Sequence, residues 1–391
     1  MTYIPEQGRI EYLDYAKAIA IFMVLMCHRC LLKIHILGYA MPVFFILSGY
    51  TSKDQTDLRR YAGKLVKSFL VPYWIACAAY GVLDVIRAYA FGYSDWRIII
   101  SDFAALVYGS SYNVPVIGGL GRIVMESARN GVLEYPWLMN IMSPLNCHLW
   151  FLPVIFSGSI IFAIYMRFRK KSGVIDILMI VGLILAGAIE IIPGMIQLPY
   201  GIGRAFPAAS YMLIGRIFKE KDIFNRGSTV QKTCISIVAA AIGIFLGTKG
   251  YMNGNWNRSY YGPGGVIGLF LSFLAGLLLV YAGIMLCRAI WLSPLKPLKT
   301  VLDVLGRNTM PVYLWHLALY FAADLIAVFV FRWQMTPEPF WVEIFDGGHL
   351  MYRWVVLFIT WALLAGFGEK GPSSYSMTDT LVRVHSDAQS T

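Results

Sequence analysis

Apolar segments long enough to cross the ~30 Å hydrocarbon core of a bilayer recur along the whole chain. Ten can be placed, at about 11–31, 35–51, 66–91, 148–167, 174–192, 203–218, 231–248, 265–287, 308–331 and 350–367. They leave little sequence for a soluble core. Of the 391 residues, 58% are hydrophobic and only 14% are charged, whereas soluble domains carry about 25% charged residues. The pattern predicts an all-α fold, a polytopic membrane helix bundle of about ten transmembrane helices embedded in the lipid bilayer. It forms one domain, residues 1–368, followed by a polar, non-periodic tail, 369–391, expected to be disordered and cytoplasmic. The second segment is short and holds Pro42, so a kinked or partly re-entrant helix is expected there. The first segment reads as a retained helix rather than a cleaved signal, because no small-x-small site follows it.

The 33 Lys and Arg outweigh the 22 Asp and Glu, for a net charge of +11. In a soluble protein that excess would suggest nucleic acid. Here no basic-aromatic nucleic-acid module occurs, and no nucleic-acid partner is expected. The basic residues instead cluster in alternate connections. Lys53, Arg59, Arg60, Lys64 and Lys67 follow the second segment, and RFRKK (167–171) follows the fourth. Lys219, Lys221 and Arg226 follow the sixth; Arg288, Lys296, Lys299 and Arg307 follow the eighth. These connections, and with them both termini, are expected in the cytoplasm. The longest connection, 92–147, then lies outside, and its Gly, Pro and aromatic content suits short interfacial helices with a functional role. A second external segment, 249–265, sets Trp and Tyr among glycines, either as a membrane-edge aromatic belt or as a stacking surface for a sugar. The six cysteines are scattered, and Cys27 and Cys30, with no second pair, read as small apolar residues. No metal site is expected.

The stretch LDYAKAIAIFMVLMCH (13–28) carries ionisable groups at both ends. Lys17 and His28 stand eleven residues apart, almost three full turns, so they project from nearly one face, and Asp14 joins them. The rise between Lys17 and His28 is roughly 16 Å. A cytoplasmic N-terminus puts Lys17 near the inner surface and His28 in the outer half. Singly, each residue has an ordinary reading: Lys17 as a snorkelling cation, Asp14 as a first-turn acid, His28 as an interfacial histidine. The shared face favours function, because ionisable groups within spans usually face the bundle interior. The geometry suits acyl transfer from a thioester on a long arm. A phosphopantetheine arm is about 15 Å long, comparable to the rise along the helix. Lys17 would meet phosphate, and the thioester would lie near His28. Histidine, with its ordinary pKa near neutrality, would take the proton from an attacking hydroxyl. The candidate catalytic residues are therefore His28 and Asp14. The candidate residues for binding the donor, acyl-CoA, are Lys17 and the cytoplasmic Arg59, Arg60 and Lys64. A donor for the tetrahedral oxyanion is required, and the sequence does not single one out.

RIEYLDYAKAIAIFMVLMCH (9–28), followed by MPVFFILSGY (41–50), resembles the start of the acyltransferase-3 family of integral membrane acyltransferases. Within it, the chain looks most like the branch resembling fucose 4-O-acetylases. HLWFLP (148–153) and NTMPVYLWH (308–316) resemble later family segments, in the expected order. The resemblance implies O-acylation of an envelope glycan or related hydroxyl acceptor at the bacterial cytoplasmic membrane, with cytoplasmic acyl-CoA, most often acetyl-CoA, as donor. The family motif is an arginine followed eleven residues later by histidine. His28 matches the histidine, and Lys17 stands in the arginine's place, as in the fucose-acetylase-like branch. That branch often has histidine before the MP of MPVFF; here the position is Ala40. The family also supplies the membrane part of vancomycin-resistance serine racemases, where amino-acid uptake is the suggested role.

Other polar residues are candidates for acceptor binding: His148 and Trp150 at the outer start of the fourth segment, Arg204 near the outer start of the sixth, and His316 within the ninth. His316 lies in an apolar run and needs a partner, structural or catalytic. Glu190 and Arg204 either pair across their short connection or line a polar cavity. Asp84 and Arg87 are spaced to satisfy each other, and Asp324 shares the His316 face only approximately. Ser48 and Gly49 suit close helix packing. A transporter or flippase is the competing reading, since buried charges and Gly/Pro-interrupted helices serve that role too, although no inverted repeat is visible. The orientation is open to direct test. In a background cleared of native cysteines, a cysteine at position 111 should react with an impermeant label applied from outside, and one at position 170 should not. The reverse pattern would overturn the assignment of sides.

Overall fold

The computed structural model describes residues 10–28, 39–53, 57–90, 106–109, 145–188, 198–251, 265–332, 335–336, 343–344 and 350–369. The expectations for most of 92–147, for 252–264, for Cys30 and Glu190, for the Arg87 side chain and for the tail beyond Glu369 lie outside these residues. Among the described residues the chain is helical: α1 (Glu11–His28), α2 (Ala40–Thr51), α3 (Leu58–Leu65), α4 (Val71–Ala90), α5 (Phe151–Phe168), α6 (Gly173–Gly187), α7 (Ile202–Glu220), α8 (Thr229–Leu246), α9 (Gly265–Leu292), α10 (Lys296–Arg307), α11 (Thr309–Phe329) and α12 (Leu350–Glu369). A two-residue antiparallel ladder pairs Met335 with Ile344 and Thr336 with Glu343.

Helices occupy all ten apolar segments. Among the described residues five are long and apolar enough to cross a membrane: Leu58–Ile86, His148–Phe168, Thr229–Tyr251, Gly265–Leu292 and Thr309–Ala327. Three shorter apolar helices, Ala40–Thr51, Gly173–Gly187 and Met351–Leu364, accompany them. α1 and α7 are the more charged of the set, carrying Glu11, Asp14 and Lys17, and Arg204, Arg216, Lys219 and Glu220. Exposed apolar faces run along α4 (Ile75, Val82, Val85), α6 (Val174, Ile177, Leu178) and α8 (Ile235, Ile237, Val238). Such continuous apolar surface has no place in water, and the molecule is a membrane protein.

Local chemistry explains the helix ends. Several prolines fall in first turns, where a missing N–H costs little: Pro42 in α2, Pro153 in α5, Pro297 in α10 and Pro311 in α11, while Pro207 lies inside α7. Pro42 therefore opens α2 instead of kinking it. A π-helical turn over Val66–Leu70 joins α3 to α4 just before Pro72, the kind of local widening that absorbs a lost ladder bond. Asp57 caps α3 by accepting from the Arg60 N–H at 3.0 Å, and Ser228 caps α8 by accepting from the Gln231 N–H at 3.2 Å. Two basic clusters expected in connections lie on helices. Arg59, Arg60 and Lys64 belong to α3, which buries Tyr61 and Leu65; Lys296, Lys299 and Arg307 belong to α10, which buries Leu302 and Leu305. Both are strongly amphipathic, and amphipathic pattern overrides the assumption that Lys/Arg-rich stretches are loops.

The chain divides into two compact units. The first takes α1, α2, the latter half of α7, α8 to α10, the start of α11 and the end of α12. Within it, Gly215 on α7 meets α2 so closely that a Cβ would overlap the Ile46 carbonyl. Tyr211 stacks on Phe273 with centroids 4.0 Å apart and donates its hydroxyl to the Phe273 carbonyl at 3.0 Å. The second unit takes α3 to α6, the first half of α7, most of α11 and the first half of α12. Its α5–α6 turn is clasped by Asp176, whose carboxylate accepts from Arg169 Nε at 2.8 Å and NH2 at 2.7 Å, and from the Tyr165 hydroxyl at 2.7 Å. Cys77 and Cys287 are buried and Cys27 is half-buried, while Cys234 is exposed on the apolar face of α8. Gly215→Leu should overpack the α2–α7 contact. A loss of about 1–3 kcal/mol, read as a lowered Tm in detergent, is expected, with Gly215→Ala intermediate; a wild-type Tm for Gly215→Leu would show the two backbones are not in contact.

Candidate active site

In the first unit, α1 presents the predicted stripe. Asp14 and Lys17 form an ion pair one turn apart, with the residues 4% and 2% exposed. Two carbonyl-level contacts close the helix around them. The Tyr39 hydroxyl donates to the Ala16 carbonyl at 3.0 Å. Gly306 of α10 lies so close to Asp14 that a Cβ there would overlap the Asp14 backbone, so only glycine lets α10 cover the pair. Burial of a charge demands such pairing. Asp14 thus serves Lys17; it stands roughly 21 Å along the axis from His28 at 1.5 Å per residue. His28 ends α1 and is half-buried, open enough to be reached by a substrate.

The other candidates fall in the second unit. Arg59 and Arg60 are exposed and Lys64 is half-buried on α3, a solvent-facing basic surface. His148 and His316 do come together. His148 lies in the 3-10 turn Leu145–Trp150 that leads into α5, His316 lies within α11, and the rings meet edge to face with centroids 4.9 Å apart. Both are buried, at 4% and 0% exposure. Tyr80 of α4 packs edge-on against His148 at 5.0 Å, and Tyr320 against His316 at 5.7 Å. Arg204 is buried with its guanidinium 5.7 Å from the Trp150 ring centroid, a cation–π distance. Asp324 turns to α12, accepting from the Tyr352 hydroxyl at 3.2 Å.

Tyr80 escaped the reading of the sequence. Its hydroxyl donates to the Leu314 carbonyl at 2.7 Å and accepts from the Ala318 N–H at 3.2 Å. These are the two groups that one turn of α-helix joins to each other, and His316 lies between them in sequence. Tyr80 therefore grips α11 at the turn that carries His316, and its ring stacks on Trp315 at 6.1 Å. Among the described residues, no group of three or more His, Cys, Asp or Glu side chains is placed to share a metal ion.

The acyltransferase domain family matches residues 10–367. The chain belongs to the acyltransferase-3 family. It is a membrane acyltransferase, an enzyme that transfers acyl groups. Neither the curated proteins nor the solved structures gave a match. The family span takes in both units of the acyltransferase and all the candidate residues above.

Tyr80→Phe keeps the ring and removes both hydroxyl bonds; it should cost about 1–3 kcal/mol, at the usual net worth of about 0.5–1.5 kcal/mol for each bond. Tyr80→Ala also opens a cavity beside His148 and should cost about 3–5 kcal/mol, as for other large aromatic truncations. Thermal unfolding of the two variants in detergent separates the contributions, and equal losses would show that the ring is not a packing element.

Proposed function

We propose that this acyltransferase moves an acyl group, acetyl in the first instance, from cytoplasmic acyl-CoA to a hydroxyl of a cell-envelope glycan. It would do so in a bacterial cytoplasmic membrane with both termini in the cytoplasm. The observation that carries the reading is the α1 stripe: a buried Lys17 ion-paired with Asp14, and His28 eleven residues further along the same face. In the first unit Lys17 meets a donor phosphate; in the second, Arg59, Arg60 and Lys64 on the exposed basic face of α3 are the donor-binding candidates. The pantetheine arm runs along α1, which sets the thioester beside His28. His28 takes the proton of the acceptor hydroxyl as the oxygen attacks the thioester carbonyl. The tetrahedral intermediate then breaks its C–S bond, leaving the ester. The departing thiolate takes the proton back from the imidazolium, so CoA leaves as the thiol. Asp14 is a positioning residue in this scheme. In the second unit, His148, Trp150, Arg204 and His316 are the candidate acceptor-binding residues, and their aromatic faces suit a sugar ring. Lysine rather than arginine at position 17 agrees with a fucose 4-O-acetylase-like acceptor.

The test is transfer of labelled acetyl from acetyl-CoA to glycan acceptors by the reconstituted enzyme. His28→Ala should lower kcat by ~10² or more, the scale of a lost general base, with unchanged Tm. His316→Ala should lower Tm together with activity. Removing Lys17 alone strands the buried Asp14 at about 3–5 kcal/mol, so the informative change is Asp14→Asn with Lys17→Met. It should raise the KM for acetyl-CoA more than Lys17→Arg does. Near-normal turnover in His28→Ala would sink the mechanism, and solute transport without transfer would favour the transport reading.

A further inference from the structure

A cleft in the first unit is lined by Ile19 and Met23 of α1, by Tyr39, and by α8 and α9, and has a volume of about 480 Å³. That lies inside the ~300–1,000 Å³ range of small-molecule sites. Ile19 and Met23 sit about 200° and 240° around α1 from Lys17, at 100° per residue. The cleft and the Lys17–His28 stripe therefore occupy opposed faces of the helix, and the cleft is a separate site.

Its lining changes character along its length. Ile237, Ala240, Leu279 and Ala282 make an aliphatic slot. Lys232 and Arg288 make a cationic end, with the hydroxyl residues Thr229 and Thr233 also on the lining. Both cations are anchored on one turn: Lys232 Nζ donates to the Asn225 carbonyl at 3.2 Å, and Arg288 donates to the Phe224 carbonyl. Those partners are neutral carbonyls, and the bonds fix the two cations in place. The carboxylate of the same turn, Asp222, accepts from Asn225 Nδ2 at 2.6 Å. Lys232 lies near the start of α8 and Arg288 near the end of α9, the ends that the charge pattern assigns to the inner leaflet, where anionic lipid is concentrated.

An aliphatic slot beneath two fixed cations matches an anionic glycerophospholipid, with one acyl chain in the slot and the headgroup phosphate at Lys232 and Arg288. We infer that the cleft between α1, α8 and α9 is a specific binding site for such a lipid. A zwitterionic lipid carries the same chain and phosphate but no net charge, so it fits the slot without the electrostatic gain. Two cations at the membrane surface give a preference of about thirty-fold, roughly 2 kcal/mol.

The full-length protein in detergent is titrated with dioleoyl phosphatidylglycerol and dioleoyl phosphatidylcholine, and bound lipid is counted by native mass spectrometry. Wild type should prefer the glycerol lipid by about thirty-fold. Lys232→Gln, a change at the rim, should cut that preference by about five-fold and leave phosphatidylcholine binding alone. Ala240→Phe fills the slot and should weaken both lipids. Equal affinity of wild type for the two lipids, or full glycerol-lipid preference in Lys232→Gln, would overturn the proposal. So would displacement of the lipid by inorganic phosphate, which would make this a bare anion site, or by acetyl-CoA, which would make it a donor site.

Discussion

The buried Asp14–Lys17 pair is the constraint around which the first unit is arranged. Neither charge survives burial alone, because desolvation of an unpaired ion exceeds what a typical fold can offset. The pair in turn dictates its cover. α10 comes down closely on α1, and Gly306 is the residue that allows it. Tyr39 closes the same helix at Ala16 and begins α2. One ion pair thus links the packing of α1, α2 and α10 to the electrostatics of the candidate donor site.

A second theme is the use of tyrosine hydroxyls on helix carbonyls. Tyr39 bonds Ala16, Tyr211 bonds Phe273 and Tyr80 bonds Leu314, all across long stretches of chain. In a bilayer the hydrophobic effect gives little drive for one apolar helix to choose another. A buried hydroxyl with a fixed carbonyl partner supplies the missing specificity, since an unmet hydroxyl in hydrocarbon is costly. The ring adds dispersion contact to the bond, as in the Tyr211–Phe273 stack.

Much of this was legible in the chain. Helices stand in all ten apolar segments because length and hydropathy specify them directly, and the three-residue spacing puts Asp14 on the Lys17 face, where the structure shows the two paired. What was hidden depends on distance in sequence. His148 and His316 belong to segments that nothing in a single chain ties together, and Tyr80 finds its partner 234 residues away. The basic residues of α3 and α10 were misread for another reason. Their charge suggested connections, but Leu58, Tyr61 and Leu65, like Leu302 and Leu305, repeat at helical spacing beneath it. The Lys/Arg pattern reports the side of the membrane and is silent on secondary structure.

The clasp between α5 and α6 bears on how the chain enters the bilayer. Arg169 leaves the ribosome seven residues ahead of Asp176, and Tyr165 precedes both. The carboxylate on α6 is therefore born beside its neutralising partners and needs nothing from distant parts of the chain. An isolated Asp would oppose insertion of a helix as short as α6, because acids at membrane depth are poorly tolerated by the insertion machinery. Paired at the turn, the two helices form a hairpin that is already electrically complete and can be handed to the lipid as one unit.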